Sequence, residues 1–179
     1  MNNDLFVSNV LYGTASSYVQ IIPGSPILTV AAQGAKTALF SQTLSLQSAT
    51  SYTVLVSGYP SSIAAILLTD NNSPPSADNM NLRIINASPS LGTADVYVVA
   101  PGTNLKNVSP TVSAMNFESA SSYIPLAAGT YQIYFTRTGQ TVVLIDSGKV
   151  SFGAGQVRTV VGLNGAVSGY TATVLADLN

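Results

Sequence analysis

The chain has 179 residues, six of them Lys or Arg and seven Asp or Glu, for a net charge of −1. Charged residues make up 7%, against about 25% in an ordinary soluble domain, so no basic patch exists to hold a phosphate backbone or anionic lipid. With neither cysteine nor histidine, the chain excludes disulfides, thiolate or imidazole metal sites, and every Ser-His or Cys-His nucleophile.

The longest apolar run, residues 63–68, falls far short of the ~20 residues of a spanning helix. Ser, Thr and Asn supply 53 residues, so the surface is made mostly of hydroxyls and amides. That composition suits an extracellular or cell-surface protein of a bacterium, and this is the expected location. The opening Met1-Asn-Asn-Asp-Leu-Phe6 has no basic stretch leading into an apolar one, so a secretory leader is expected to have been removed.

Strand signals begin at once, with residues 5–10. Tyr52, Val54 and Val56 then share one face of an alternating run, the signature of a half-buried strand. Pro74-Pro75 stiffens a short linker and withholds two ladder donors. Residues 112–117 and 122–126 read as further strands. Tyr131, Ile133 and Phe135 alternate again, and Thr138-Gly139 turns that run back into residues 140–145 as a hairpin. Gly153-Ala-Gly155 is a turn without the spacing of a phosphate loop. The helical period is missing nearly everywhere. The expected fold is all-β: two tandem immunoglobulin-like antiparallel β-sandwich domains.

The chain repeats itself. Leu5 and Asn9 fall over Leu82 and Asn86, Gly13-Thr-Ala15 over Gly92-Thr-Ala94, Tyr18-Val19 over Tyr97-Val98, and Pro23-Gly24 over Pro101-Gly102. Residues 44–53 fall over 150–159, and residues 68–72 over 175–179. The offset grows between these blocks, which predicts an insertion of roughly 28 residues in the second copy, within 104–128. The expected organisation is a shorter repeat at 1–73, a linker at 74–80 and a longer repeat at 81–179. The first repeat is expected to be about two strands poorer, with Asp70 and Asp177 at matched places.

Arg83-Ile-Ile-Asn-Ala-Ser-Pro89 followed by Asp95-Val96-Tyr97 resembles the opening motif of the bacterial domain-of-unknown-function family 4397, with Asn86 where the family has His. Residues 126–131, Tyr52-Thr53 and Leu67-Leu-Thr-Asp70 are similar to its later strands. The resemblance implies tandem β-sandwich domains in secreted or surface-anchored proteins, and implies no established activity.

Each candidate site has a plainer reading beside it. Asn86-Ala-Ser-Pro89 reads as a strand end in which Asn and Ser bond nearby backbone; the sharper alternative is a ligand-contacting loop. Arg83 and Asp95 lie on consecutive strands and can pair across a sheet, which more often fixes register than performs chemistry. Lys36, Lys106 and Lys149 stand in no Ser-Lys motif, and the seven carboxylates are scattered. Asp70-Asn-Asn72 and Asp78-Asn79 offer oxygen ligands for calcium, or simply a polar linker. Loop tyrosines, Tyr59 and Tyr170 above all, can stack on sugar.

The reading is therefore a non-catalytic structural or adhesive module with no catalytic residue, metal or cofactor. Its partners are other copies of itself or other surface proteins. The alternative is a glycan- or ligand-binding module that uses Tyr59, Tyr170 and Asn86. A repeat short of strands exposes sheet edge, and three Lys and three Arg leave little charge to guard it; residues 5–10 are positioned to dock as a strand into a neighbour.

Overall fold

Runs of Val, Ile, Tyr and Thr between Gly, Pro and Asn fold as strands, and the described residues hold a single short helix, the 3-10 turn Leu105–Asn107. The structure, a computed structural model, describes residues 7–177. The chain divides into two compact units between Asp70 and Asn71.

In the first unit, β1 (Ile27–Val30) pairs antiparallel with β2 (Phe40–Thr43), and β3 (Tyr52–Ser57) with β4 (Ala64–Thr69). A bridge between Gly24 and Leu46 extends the first pair. Leu44 and Leu46 are buried, whereas Val10, Leu11, Tyr12, Val19, Ile21 and Ile22 are exposed. Residues 7–22 contain no strand, so the described part of the expected strand at 5–10 is irregular; Leu5 and Phe6 lie outside the described residues.

The second unit holds β5 (Asn79–Asn86), β6 (Ala94–Val99), β7 (Val112–Met115), β8 (Ser119–Ala120), β9 (Ile124–Ala127), β10 (Gly129–Arg137), β11 (Val143–Phe152), β12 (Val157–Asn164) and β13 (Tyr170–Ala176). One sheet runs β11-β10-β6-β7, antiparallel throughout. The other runs β13-β12-β5, with β8 and β9 one after the other along the far edge of β5. β12 lies parallel to β5. Alternation along β5 sends Met80, Leu82 and Ile84 to one face, where they join Val160, Val96, Ile133, Phe135 and Ile145 in a single core drawn from both sheets.

The two units repeat, in a register the short sequence matches do not give. Gly24 bridges Leu46 as Gly129 pairs with Phe152, and Ile27 faces Thr43 as Gln132 faces Lys149. Tyr52 faces Thr69 as Arg158 faces Ala176. The offset is 105 from Gly24 to Gly129 and 107 from Thr69 to Ala176. There is no room in that register for an inserted segment. The difference lies at the front instead: β5 to β8 have no counterpart among the described residues of the first unit. Among the described residues four strands stand against nine, a wider gap than the two expected. Gly and Pro recur at the turns of a β protein, so the Pro23-Gly24 match carries no register, and the Tyr18-Val19 match sets an irregular segment over the middle of β6.

Candidate functional site

The repeat carries one polar cluster in each unit, seated at the open end of a hairpin. In the second, the β12–β13 hairpin closes with the Asp177 N–H donating to the Val157 carbonyl at 3.2 Å. This brings the Asp177 carboxylate beside Thr159, whose hydroxyl lies 2.9 and 3.1 Å from the two carboxylate oxygens. Tyr123, one residue before β9, donates its phenolic O–H to the same carboxylate. Arg83 stands opposite Thr159 because β5 and β12 run parallel in that register. Its Nε donates to Thr159 Oγ1 at 3.0 Å, and its Nη2 is 3.7 Å from Asp177 Oδ2. The guanidinium carbon lies 4.9 Å from the centre of the Tyr123 ring, within cation–π range. Arg83 and Asp177 side chains are each 3% exposed.

The first unit builds the same arrangement on β3 and β4. The Asp70 N–H donates to the Ser51 carbonyl at 2.9 Å. Thr53 Oγ1 lies 3.0 and 2.9 Å from the Asp70 carboxylate oxygens, and Tyr18 donates to Oδ2 at 2.6 Å. Tyr18 thus does the work of Tyr123, not of Tyr97.

Each carboxylate takes a threonine and a tyrosine hydroxyl, and the second also faces a guanidinium. What the cluster does is join: in the second unit it ties β5, β12, the end of β13 and the entry to β9.

Arg83 pairs with Asp177 and not with Asp95, because β12 is the neighbour of β5 within its sheet while β6, which carries Asp95, belongs to the other sheet. Asp95 instead accepts the backbone N–H groups of Ala114 and Gly139, each at 2.8 Å, and so pins the irregular start of the β6–β7 pairing and the β10–β11 turn. Asn86 is fully buried. Its amide donates to the carbonyls of Gly92 at 2.7 Å and Met115 at 3.1 Å, and its oxygen accepts the Ser88 N–H at 3.3 Å. That is the turn-forming role, and it leaves no surface for a ligand. Asn9 is different: it is exposed, with a left-handed φ of 59°.

Tyr59 is 49% exposed in the β3–β4 loop, and Tyr170 is half-buried at the end of the β12–β13 loop, its hydroxyl 3.5 Å from the Ser90 carbonyl. The two loops are equivalents; within the second unit the Tyr170 hydroxyl meets the Ser90 carbonyl, not the buried Asn86 amide. Asp70 is engaged with Thr53 and Tyr18. Among the described residues no three acidic groups stand together, and no helix is long and apolar enough to cross a membrane.

The fold and the doubled cluster define a class: an all-β chain built on one repeated hairpin scaffold. The chain belongs to the family described as a domain of unknown function, DUF4397, whose pattern matches it twice, over residues 1–97 and 95–179. The matches meet within β6, whereas the compact units divide after Asp70. No curated protein matches the chain.

Proposed function

We propose that this chain is a non-catalytic structural or adhesive module of a bacterial cell surface, made of two immunoglobulin-like β-sandwich repeats of unequal size and able to assemble with copies of itself. The observation that carries this reading is that the buried charges are engaged in holding strands and turns. Arg83 and Asp177 join four elements, Asp70 joins Tyr18 to the β3–β4 hairpin, and Asp95 fixes two backbone turns. A surface of hydroxyls and amides, near neutral, supports the same reading: it hydrates well and gives little charge repulsion between neighbouring copies.

The location is tested with a membrane-impermeant amine reagent on intact cells, since Lys36, Lys106 and Lys149 are all exposed. Labelling of these lysines before lysis is the expected result; labelling only after lysis refutes a surface location. A second reading, glycan binding, is favoured by the recurrence of an aromatic residue at equivalent loops, Tyr59 and Tyr170. Glycan-array signal lost on Tyr59→Ala or Tyr170→Ala supports it, and an array blank for the wild type removes it.

A further inference from the structure

We infer that the outer edge of β1 is a pairing site for the β1 of a second copy of this chain, the two strands running antiparallel about a two-fold axis; this rests on the assembly reading proposed above. The second unit shows what such an edge accepts. β10, the counterpart of β1, is flanked by β11 on one side and β6 on the other. β1 has β2 on one side, and among the described residues no strand lies on the other. The Leu44 N–H donates to the Pro26 carbonyl at 2.9 Å. Alternation then directs the backbone groups of Leu28 toward β2, and those of Ile27 and Thr29 toward the open edge. Ile27 is 70% exposed and Thr29 is exposed as well.

This edge lacks the usual guards. β11, an outer strand of the second unit, carries Asp146, Lys149 and irregular pairing. β1 reads Ile-Leu-Thr-Val, with no charge, no bulge and no proline within it. Unprotected edges of this kind are templates for strand addition.

A second copy fits for three reasons. Pairing β1 with its own equivalent yields a four-stranded antiparallel sheet, β2-β1 followed by β1-β2 of the second copy. That is the strand number and direction of β11-β10-β6-β7. The register that uses the outward groups of Ile27 and Thr29 on both chains makes about four hydrogen bonds and sets Leu28 opposite Leu28. In the second unit the residue equivalent to Leu28 is Ile133, and it faces Val98; an aliphatic side chain is therefore replaced by an aliphatic side chain. Finally, a chain of net charge −1 with no charge in the strand brings no repulsion to a two-fold contact, where every group meets its own neighbourhood.

The test uses the whole chain. Light scattering across a concentration series is expected to show a monomer–dimer equilibrium. Ile27→Lys, at a solvent-facing position, and Thr29→Pro, which removes an outward donor, are each expected to raise the dissociation constant at least about tenfold. The chain has no cysteine, so Leu28→Cys supplies one thiol, which is expected to form a covalent dimer on mild oxidation, while Thr43→Cys on β2 stays monomeric. Association that ignores both edge variants, or Thr43→Cys cross-linking as readily as Leu28→Cys, overturns the β1 pairing and leaves assembly through another surface standing. A monomer at every concentration overturns both.

Discussion

Asp177 accepts from Thr159 and Tyr123 and faces Arg83, and its twin Asp70 accepts from a threonine and a tyrosine in the same way. Removing one member of a buried ion pair costs on the order of 3–5 kcal/mol, because the other charge stays behind. Asp177→Asn is therefore expected to lower the unfolding free energy of the second unit by about 3 kcal/mol or more, read from urea denaturation. Tyr123→Phe keeps the ring beside Arg83 and deletes only the bond to the carboxylate, so its expected cost is smaller, about 1.5–3 kcal/mol. Equal losses from the two variants contradict the arrangement. Ala49 is a second marker of the repeat: its φ is 54°, where the equivalent Gly155 has 79°. A β-carbon in that region costs roughly 1–2 kcal/mol, and glycine gives back part of that in unfolded-chain entropy. Ala49→Gly is expected to raise stability by up to about 1 kcal/mol, and Gly155→Ala to lower it by a similar amount. Thr53, Thr159, Asp70 and Asp177 were legible because they fall in matched sequence blocks. Tyr18 and Tyr123 were not, because short Gly-Pro matches nearby put Tyr18 over the wrong tyrosine. The separation of tyrosine and aspartate, 52 residues in one unit and 54 in the other, is the signal that finds them.

Among the elements, β10 and β12 approach closely at a glycine. A β-carbon on Gly162 would lie 2.8 Å from Phe135 Cε1 and 3.0 Å from Ile145 Cδ1. The equivalents in the first unit are Val30 for Phe135 and Val56 for Gly162, and Val56 is 41% exposed, so nothing there demands a glycine. Gly162→Val is expected to destabilise by about 1–3 kcal/mol through overpacking, with part regained in the double variant Gly162→Val/Phe135→Val; additive losses refute the coupling. On β10, Tyr134 pairs with Asp146, and its phenol is pushed above the usual tyrosine value, first by burial and then by the Asp146 charge. A folded pKa above the unfolded one means that the folded state holds the proton more tightly. Stability is then full below about pH 10 and falls as pH rises through the folded value. Tyr134→Phe is expected to flatten that alkaline fall in a thermal melt series, and an unchanged slope rejects the assignment. The β10–β11 hairpin was legible from alternation and its Thr-Gly turn. The parallel contact of β5 with β12 was not, since a period of two says which face is buried and nothing about which strand lies alongside. That contact decides that Arg83 meets Asp177 instead of Asp95.

Over the whole molecule, the repeat makes two units of very different burial. The second unit encloses a core in which Met80, Leu82, Ile84, Val96, Ile133 and Phe135 are all fully buried. The first buries Leu44 and Leu46 to 8% exposure and leaves Ile22 and Ile27 at 66 and 70%. At about 25 cal/mol per Å² of apolar surface removed from water, burial stabilises the second unit far more, while the entropic cost per ordered residue is the same in both. Residues 19–22 illustrate the consequence: their equivalent, β9, holds its strand geometry by pairing with β5, and no equivalent of β5 is among the described residues of the first unit. The expected behaviour of the intact chain is therefore two-stage. Hydrogen exchange followed by mass spectrometry should find the slowest amides in β5 and β12 and markedly faster exchange across β1 to β4. On raising protein concentration, exchange in the peptide spanning β1 should slow while that of β13 stays constant, because pairing through the β1 edge protects the outward amides of Ile27 and Thr29 and nothing on β13. Uniform protection across both units, with a single cooperative melt, would instead mean that the first unit draws its stability from the second, and the inequality of the two repeats would then have no energetic meaning.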